Sequence, residues 1–168
     1  EHAGMYPDWS LDSRQLIYAQ SRDGADQEVK LGAIYRIDVN AALASDEDPK
    51  PLAEPLVGII MDNQTRIRCL DNGRILFTAI ETTLPLTLHE FHNVRTLFAV
   101  SPGKLPTVIK MVQRRGQAMH DDSINYFEVS PDQSRVCFPL NTAQVGVLDL
   151  ATGIVDLVQQ ESLEHPDD

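Results

Sequence analysis

Apolar residues in this chain come in short runs at short intervals. Segments such as Leu16-Ile17-Tyr18-Ala19, Ile34-Tyr35-Arg36-Ile37-Asp38-Val39 and Val145-Gly146-Val147-Leu148-Asp149-Leu150 are rich in Val, Ile, Leu and Tyr and are punctuated by Asp, Ser, Asn and Gly. Brief β-branched and aromatic runs separated by turn residues read as strands. No segment sustains the 3.6-residue period of an amphipathic helix, and the best helical stretch, Asn40 to Ala44, is too short to stand alone. Asp and Ser suit the intervening turns because their side chains bond nearby backbone N–H groups. Thr152-Gly153 marks a further turn. The pattern predicts an all-β protein.

The runs repeat. Trp9-Ser10-Leu11-Asp12-Ser13-Arg14-Gln15-Leu16-Ile17-Tyr18-Ala19 aligns without a gap on Val129-Ser130-Pro131-Asp132-Gln133-Ser134-Arg135-Val136-Cys137-Phe138-Pro139. A weaker copy is Arg68-Cys69-Leu70-Asp71-Asn72-Gly73-Arg74-Ile75-Leu76-Phe77-Thr78. In this alignment Asp12, Asp71 and Asp132 hold the turn, and Tyr18, Phe77 and Phe138 each follow six residues later. The aspartates are spaced by 59 and 61 residues. A second element follows each copy, at Ile34–Val39, Leu97–Pro102 and Val145–Leu150. A third follows as Lys50-Pro51-Leu52, Thr107–Val112 and Ile154–Val158. Each unit thus reads as four short strands, with boundaries near 1–56, 57–116 and 117–162 and a tail over 163–168.

Units of about 60 residues, each a four-stranded antiparallel sheet, are the blades of a β-propeller. In that arrangement Tyr18, Phe77 and Phe138 are expected between adjacent blades, with Trp9 near the innermost strand. Ser10, Asp12, Asp71, Ser130 and Asp132 are expected to order the turns. Propellers have four to eight blades, so three do not close a ring. Either a longer polypeptide supplies the remainder, or two copies meet about a two-fold axis as a homodimer of six blades. A first residue of Glu1 rather than Met favours the piece of a longer polypeptide.

The motif resembles the TolB-like, WD40-like propeller repeat, whose usual form is P-x-W-S-P-D-G-x-x-I-x-F. Pro7, Trp9, Ser10, Asp12, Leu16 and Tyr18 match it in the first unit, and Ser130, Pro131, Asp132, Val136 and Phe138 in the third. Leu11 stands where the motif has its second Pro, Ser13, Asn72 and Gln133 where Gly is usual, and the middle unit lacks Ser and Pro. The resemblance implies an exported protein, periplasmic or extracellular, that binds or scaffolds other molecules. It also admits propellers attached to peptidases and a few metal-dependent lyases.

Charge narrows the partners. Twenty-five acidic against 14 basic residues give a net charge of −11, which disfavours nucleic acid and anionic lipid and steers basic partners toward the surface. No apolar run is long enough to insert in a membrane. Two cysteines, Cys69 and Cys137, make no disulfide framework and no CxxC pair. GxSxG, GxGxxG and GxxxxGK[ST] motifs are absent.

Chemistry-bearing side chains gather in the loops that enter each unit. His2, Asp62, Asn63, His120, Asp121 and Asp122 are the candidate ligand-binding residues at the channel mouth. Imidazole with carboxylate suits a divalent metal or acid–base work, but no HxH or HExxH spacing tightens the set. A solvated rim is the competing reading. His89 and His92, three apart beside strand-like sequence, would point to opposite faces. Asp23–Glu28, Ser45–Pro49 and Arg114–Gly116 read as polar loops. The expectation is a non-catalytic binding propeller without a cofactor, taking a protein or small polar ligand. The alternative is the propeller part of an enzyme, with an attached hydrolase or a channel metal acting on a saccharide or peptide.

Overall fold

The computed structural model describes residues 5–21, 30–46, 53–62, 64–80, 95–101, 107–110, 124–141 and 144–159. Strands β1 (Met5–Trp9), β2 (Gln15–Ser21), β3 (Lys30–Asp38) and β4 (Glu54–Met61) form one sheet. A second comprises β5 (Ile67–Cys69), β6 (Ile75–Ile80), β7 (Arg95–Ser101) and β8 (Thr107–Lys110). A third comprises β9 (Glu128–Val129), β10 (Arg135–Asn141), β11 (Gln144–Asp149) and β12 (Val155–Gln159). Every neighbouring pair is antiparallel and every sheet runs in chain order. The protein is all-β, as its pattern predicts. One short helix, α1 (Val39–Ala44), follows β3, its first turn capped by Asp38 Oδ1 accepting from Ala41 N at 2.9 Å.

The fourth strand of the first sheet departs from expectation. Lys50-Pro51-Leu52 lies outside the described residues, and the strand pairing with β3 is Glu54–Met61. The first sheet therefore extends past residue 56 to Met61. Burial decides the register, since β4 sets Leu56, Ile59 and Met61 into the core.

The three sheets stack, with the second in the middle. Ile17, Ala19 and Ile34 of the first sheet pack against Ile75, Phe77, Ala79 and Val100 of the second. On its other side, Leu76, Leu97 and Ala99 pack against Val136, Phe138, Leu140 and Leu148 of the third. All six residues of β6 are therefore buried. Each sheet has a front face, carrying the repeated aromatic, and a back face, carrying its sequence neighbours. Phe77 and Phe138 are each 1% exposed, pressed on the back of the preceding sheet. Tyr18 occupies the same position on the first sheet, where the described residues place no sheet in front of it.

Cross-strand partners repeat as well. Tyr18 opposes Tyr35 and stacks on it at 5.7 Å, and Phe77 opposes Phe98 at 5.6 Å. Phe138 opposes Gly146 instead. A Cβ at Gly146 would stand 2.6 Å from Phe138 Cε2, so the glycine makes room for the ring. Trp9, opposite Leu16, lies on the front face of the first sheet and is 50% exposed, not buried between sheets as expected.

The turns between first and second strands share one geometry, with a correction in the middle unit. Ser13, Gly73 and Gln133 have φ of 56°, 77° and 55°. Ser13 N, Gly73 N and Gln133 N donate to Ser10 O, Leu70 O and Ser130 O. The turn carboxylates Asp12 and Asp132 each accept at Oδ1 from the backbone N two residues on, at 3.1 Å. In the middle unit the residue in that role is Asn72, whose Oδ1 accepts from Arg74 N at 3.0 Å. The middle turn closes between Leu70 and Arg74, one residue shorter than Ser10 to Gln15. Gly73 thereby takes the left-handed position, where glycine is conformationally free. Asp71, expected to order this turn, bridges to the third sheet. Its N donates to Gln133 Oε1 and its Oδ1 accepts from Gln133 Nε2, both at 2.6 Å.

Hydrogen bonds hold the turn aspartates ionised. The Ser130 hydroxyl, with Ser134 N and Oγ, lowers Asp132 from the ordinary 3.8 to about 2. The Ser10 hydroxyl and Arg14 N lower Asp12 likewise. A depressed carboxylate stabilises the fold above its ordinary pKa and loses that contribution as pH falls through its folded value. The urea midpoint of Asp132→Asn is therefore expected to vary less with pH than the wild type's between about pH 4 and pH 2. Parallel curves across that window would contradict this.

Candidate functional site

The first strands of the sheets meet at one place. Asp8 Oδ2 in β1 accepts from Cys69 N in β5 at 2.8 Å. Arg68 Nη2 in β5 lies 3.7 Å from Glu128 Oε1 in β9. Nearer the start of these strands, the Arg66 guanidinium sits between two rings, 4.5 Å from the centroid of Tyr6 and 4.4 Å from that of Tyr126. Planar guanidinium on aromatic faces is a favourable cation–π geometry.

These three residues occupy equivalent positions in the repeat. With Asn72 as the middle turn residue, Tyr6, Arg66 and Tyr126 each stand six residues before it. Asp8, Arg68 and Glu128 each stand four before it. Equivalent side chains of successive sheets touch one another, as they would around a common axis. Local structure fixes them there. Arg66 N donates to Thr78 Oγ1 at 2.9 Å, and Thr78 N returns a bond to Arg66 O at 3.0 Å. A register shift between Met5 and Asp8, with Tyr6 at φ 42°, brings the Tyr6 ring onto Arg66. For a bulky residue that backbone conformation costs about 1–3 kcal/mol.

Arg66 differs from its cationic neighbours. Arg68 faces Glu128, and Arg95 is paired with Asp62. Among the described residues no carboxylate pairs with Arg66, and its Nε is buried without a hydrogen-bond partner. Both tyrosine rings lie against the guanidinium. Tyr126, 39% exposed, donates its hydroxyl to Glu128, a contact that raises its pKa.

Of the six expected ligand-binding residues, Asp62 alone lies among the described residues; His2, Asn63, His120, Asp121 and Asp122 lie outside them. Asp62 is 8% exposed, and both its oxygens are engaged. Oδ2 stands 2.5 Å from Arg95 Nε and Nη2, and Oδ1 accepts from Gln64 N at 2.8 Å. Arg95 also bonds Asn125. Asp62 thus ties the β4–β5 connection to β7 and to the approach to β9. His89, His92, Asp23–Glu28 and Arg114–Gly116 also lie outside the described residues. Among the described residues no group of three His, Cys, Asp or Glu is arranged to hold a metal, and no helix is long and apolar enough to cross a membrane.

A second opening, a cleft of about 430 Å³, lies between the first two sheets at their turn end, beside Asp12, Gln15, Arg36 and Cys69. Its ionised side chains are already engaged, Arg36 in an ion pair with Glu54, Asp12 in a hydrogen bond from Ser10 and Asp71 in one from Gln133. Burial, with Asp8 nearby, pushes the Cys69 thiol up to about 12, so it is not a nucleophile at neutral pH.

Sequence reasoning missed Tyr6, Arg66 and Tyr126. The signal was present, but aligning Asp71 with Asp12 shifted the middle unit by one residue and placed Thr65 opposite Tyr6. No protein-family model matches the chain, and no curated protein is significantly similar to it.

Proposed function

We propose that the chain forms three blades of a six-bladed, TolB-like β-propeller and acts as a non-catalytic binding module. Its ligand meets the channel end where Tyr6, Arg66 and Tyr126 converge. The supporting observation is Arg66 itself, a guanidinium held over the rings of two tyrosines, with no carboxylate among the described residues paired with it. A guanidinium edge accepts a carboxylate with two parallel charge-assisted hydrogen bonds. The ligand class is therefore a carboxylate, on a small molecule or on a protein chain end. The net charge of −11 selects against polyanions, so the local site and the overall surface prefer opposite charges. A basic protein presenting one carboxylate satisfies both. Export to the periplasm or extracellular space accompanies this reading through the resemblance.

Calorimetric titration with N-acetylglycine tests it. The wild type is expected to bind this carboxylate and not its amide, N-acetylglycinamide. Arg66→Gln is expected to weaken binding about tenfold or more, the loss of a charge-assisted contact. Equal affinity for acid and amide, or for wild type and variant, would overturn the assignment.

A further inference from the structure

Two seams separate the three sheets, and the described residues close only one of them at the turn end. Between the second and third sheets the closure is Asp71 with Gln133, joined by two hydrogen bonds of 2.6 Å. In the three turns Ser13 N, Gly73 N and Gln133 N donate to Ser10 O, Leu70 O and Ser130 O. Leu11 therefore stands where Asp71 does, and Gly73 where Gln133 does. Between the first and second sheets the corresponding pair is Leu11 with Gly73, and it makes neither bond: a leucine side chain offers no acceptor, and glycine has no side chain. A Cβ at Gly73 would meet nothing within 4 Å. Leu11 is 55% exposed. Its N–H is the counterpart of the Asp71 N–H that Gln133 Oε1 receives, and among the described residues it has no acceptor. The cleft of about 430 Å³ opens at this missing pair, with Leu11 and Gly73 in its wall.

The lining has the make-up of a ligand site. Such pockets measure about 300–1,000 Å³ and combine apolar walls with a few polar groups. Here Ile17, Leu70 and Ile75, each 3% exposed, supply the apolar wall, and Asp12, Asp71 and Arg36 supply the charge. Arg36 is spent on Glu54. Asp12 and Asp71 belong to no ion pair among the described residues. The Ser10 hydroxyl, Arg14 N and Gln133 Nε2 that bond them are neutral donors, which satisfy lone pairs and leave the charge in place. Two uncancelled carboxylates, in a chain of net charge −11, favour a cation. We propose that this cleft takes an arginine side chain presented by a partner protein. The aliphatic stem lies on Leu11 and Leu70 while the head stays polar. The guanidinium donates to the carboxylates of Asp12 and Asp71, and a main-chain carbonyl of the partner accepts from Leu11 N–H, as Gln133 Oε1 does from Asp71 N–H. Arginine suits this lining better than lysine, because its rigid fork of five donors serves two carboxylates at once. The cleft lies at the opposite end of β1 from Tyr6, and this inference does not rest on the carboxylate reading of Arg66.

Chemical-shift titration of the ¹⁵N-labelled full chain with Nα-acetyl-L-argininamide tests it. The expected result is a saturable shift at the backbone amides of Leu11 and Gly73. Nα-acetyl-L-citrullinamide has the same shape without the charge and is expected to bind about tenfold more weakly or worse. Asp12→Asn is expected to cost the arginine probe about tenfold as well, with the turn retained, since Asn72 already plays that part in the middle unit. Leu11→Asn with Gly73→Gln rebuilds the missing pair without adding charge. Gln133 itself sits at φ 55°, so the fold accommodates glutamine in that conformation. This double variant is expected to abolish binding of the arginine probe and to leave the N-acetylglycine titration unchanged. No saturable shift, equal affinity for the arginine and citrulline probes, undiminished binding in Asp12→Asn or in the double variant, or shifts centred on Tyr6 and Tyr126 would each overturn the proposal. Failure of N-acetylglycine to bind the wild type bears on Arg66 alone.

Discussion

Phe77→Ala is expected to lower stability by about 3–5 kcal/mol, the range for deleting a buried phenylalanine ring. Phe77 is 1% exposed, stacks on Phe98, and lies in the layer between the first two sheets, against Ile17, Ala19 and Ile34. Neither sheet can collapse into the void without breaking its own register, so most of the cavity persists. Urea unfolding measures the loss. Tyr18→Ala supplies the control, because Tyr18 holds the same position in the repeat on a face before which the described residues place no sheet. Its cost is expected at about 1 kcal/mol, the ordinary effect of a partly exposed side chain. Equal losses for the two variants would mean that the front faces are not distinguished as the packing requires.

Arg95→Met is expected to be nearly as damaging. The side chains of Arg95 and Asp62 are 14% and 11% exposed and meet at 2.5 Å. Replacing the arginine leaves Asp62 buried without its counter-charge, a loss of about 3–5 kcal/mol for a buried pair broken on one side. The damage is expected to be local at first, because Asp62, Arg95 and Asn125 join the β4–β5 connection, β7 and the segment entering β9. Hydrogen exchange would show it as faster exchange at Thr65, whose N donates to Asp62 O, and at Ile124, whose N donates to Arg95 O. Removing both partners in Asp62→Leu with Arg95→Met is expected to recover part of the stability, since an apolar pair leaves no charge stranded. A single variant as stable as the wild type would show that the pair is solvated.

The strands were legible in the sequence because alternation and turn residues are local signals. The turn at Thr152-Gly153, the second element of each unit and the third element of the second and third units fall where the pattern places them, and α1 covers the stretch that the pattern named but judged too short to stand alone. β4 was misplaced because its eight residues form an apolar run with little alternation, and only pairing with β3 chooses among possible registers. The site was hidden by a single residue. Asp71 imitates Asp12 in sequence, but the middle turn is one residue shorter, so Asn72 takes the carboxylate's role and Asp71 turns to Gln133. Only with that shift do Tyr6, Arg66 and Tyr126 fall on one level. Asp62 was singled out for its polarity at a loop, yet polarity does not reveal that Arg95, 33 residues away, already occupies it.

That equivalent positions of the three first strands face one another across a common axis is the central claim, and the side-chain Nε–H of Arg66 reports on it directly. In an arginine side-chain ¹H–¹⁵N correlation spectrum, a guanidinium gripped between two tyrosine faces experiences the ring currents of both. The Arg66 signal, assigned by its loss in Arg66→Gln, is expected upfield of the other arginines and slow to exchange with water, consistent with a buried Nε. Tyr6→Leu and Tyr126→Leu are each expected to move it part of the way back. An Arg66 Nε–H at the position of an exposed arginine, indifferent to both tyrosines, would contradict the claim.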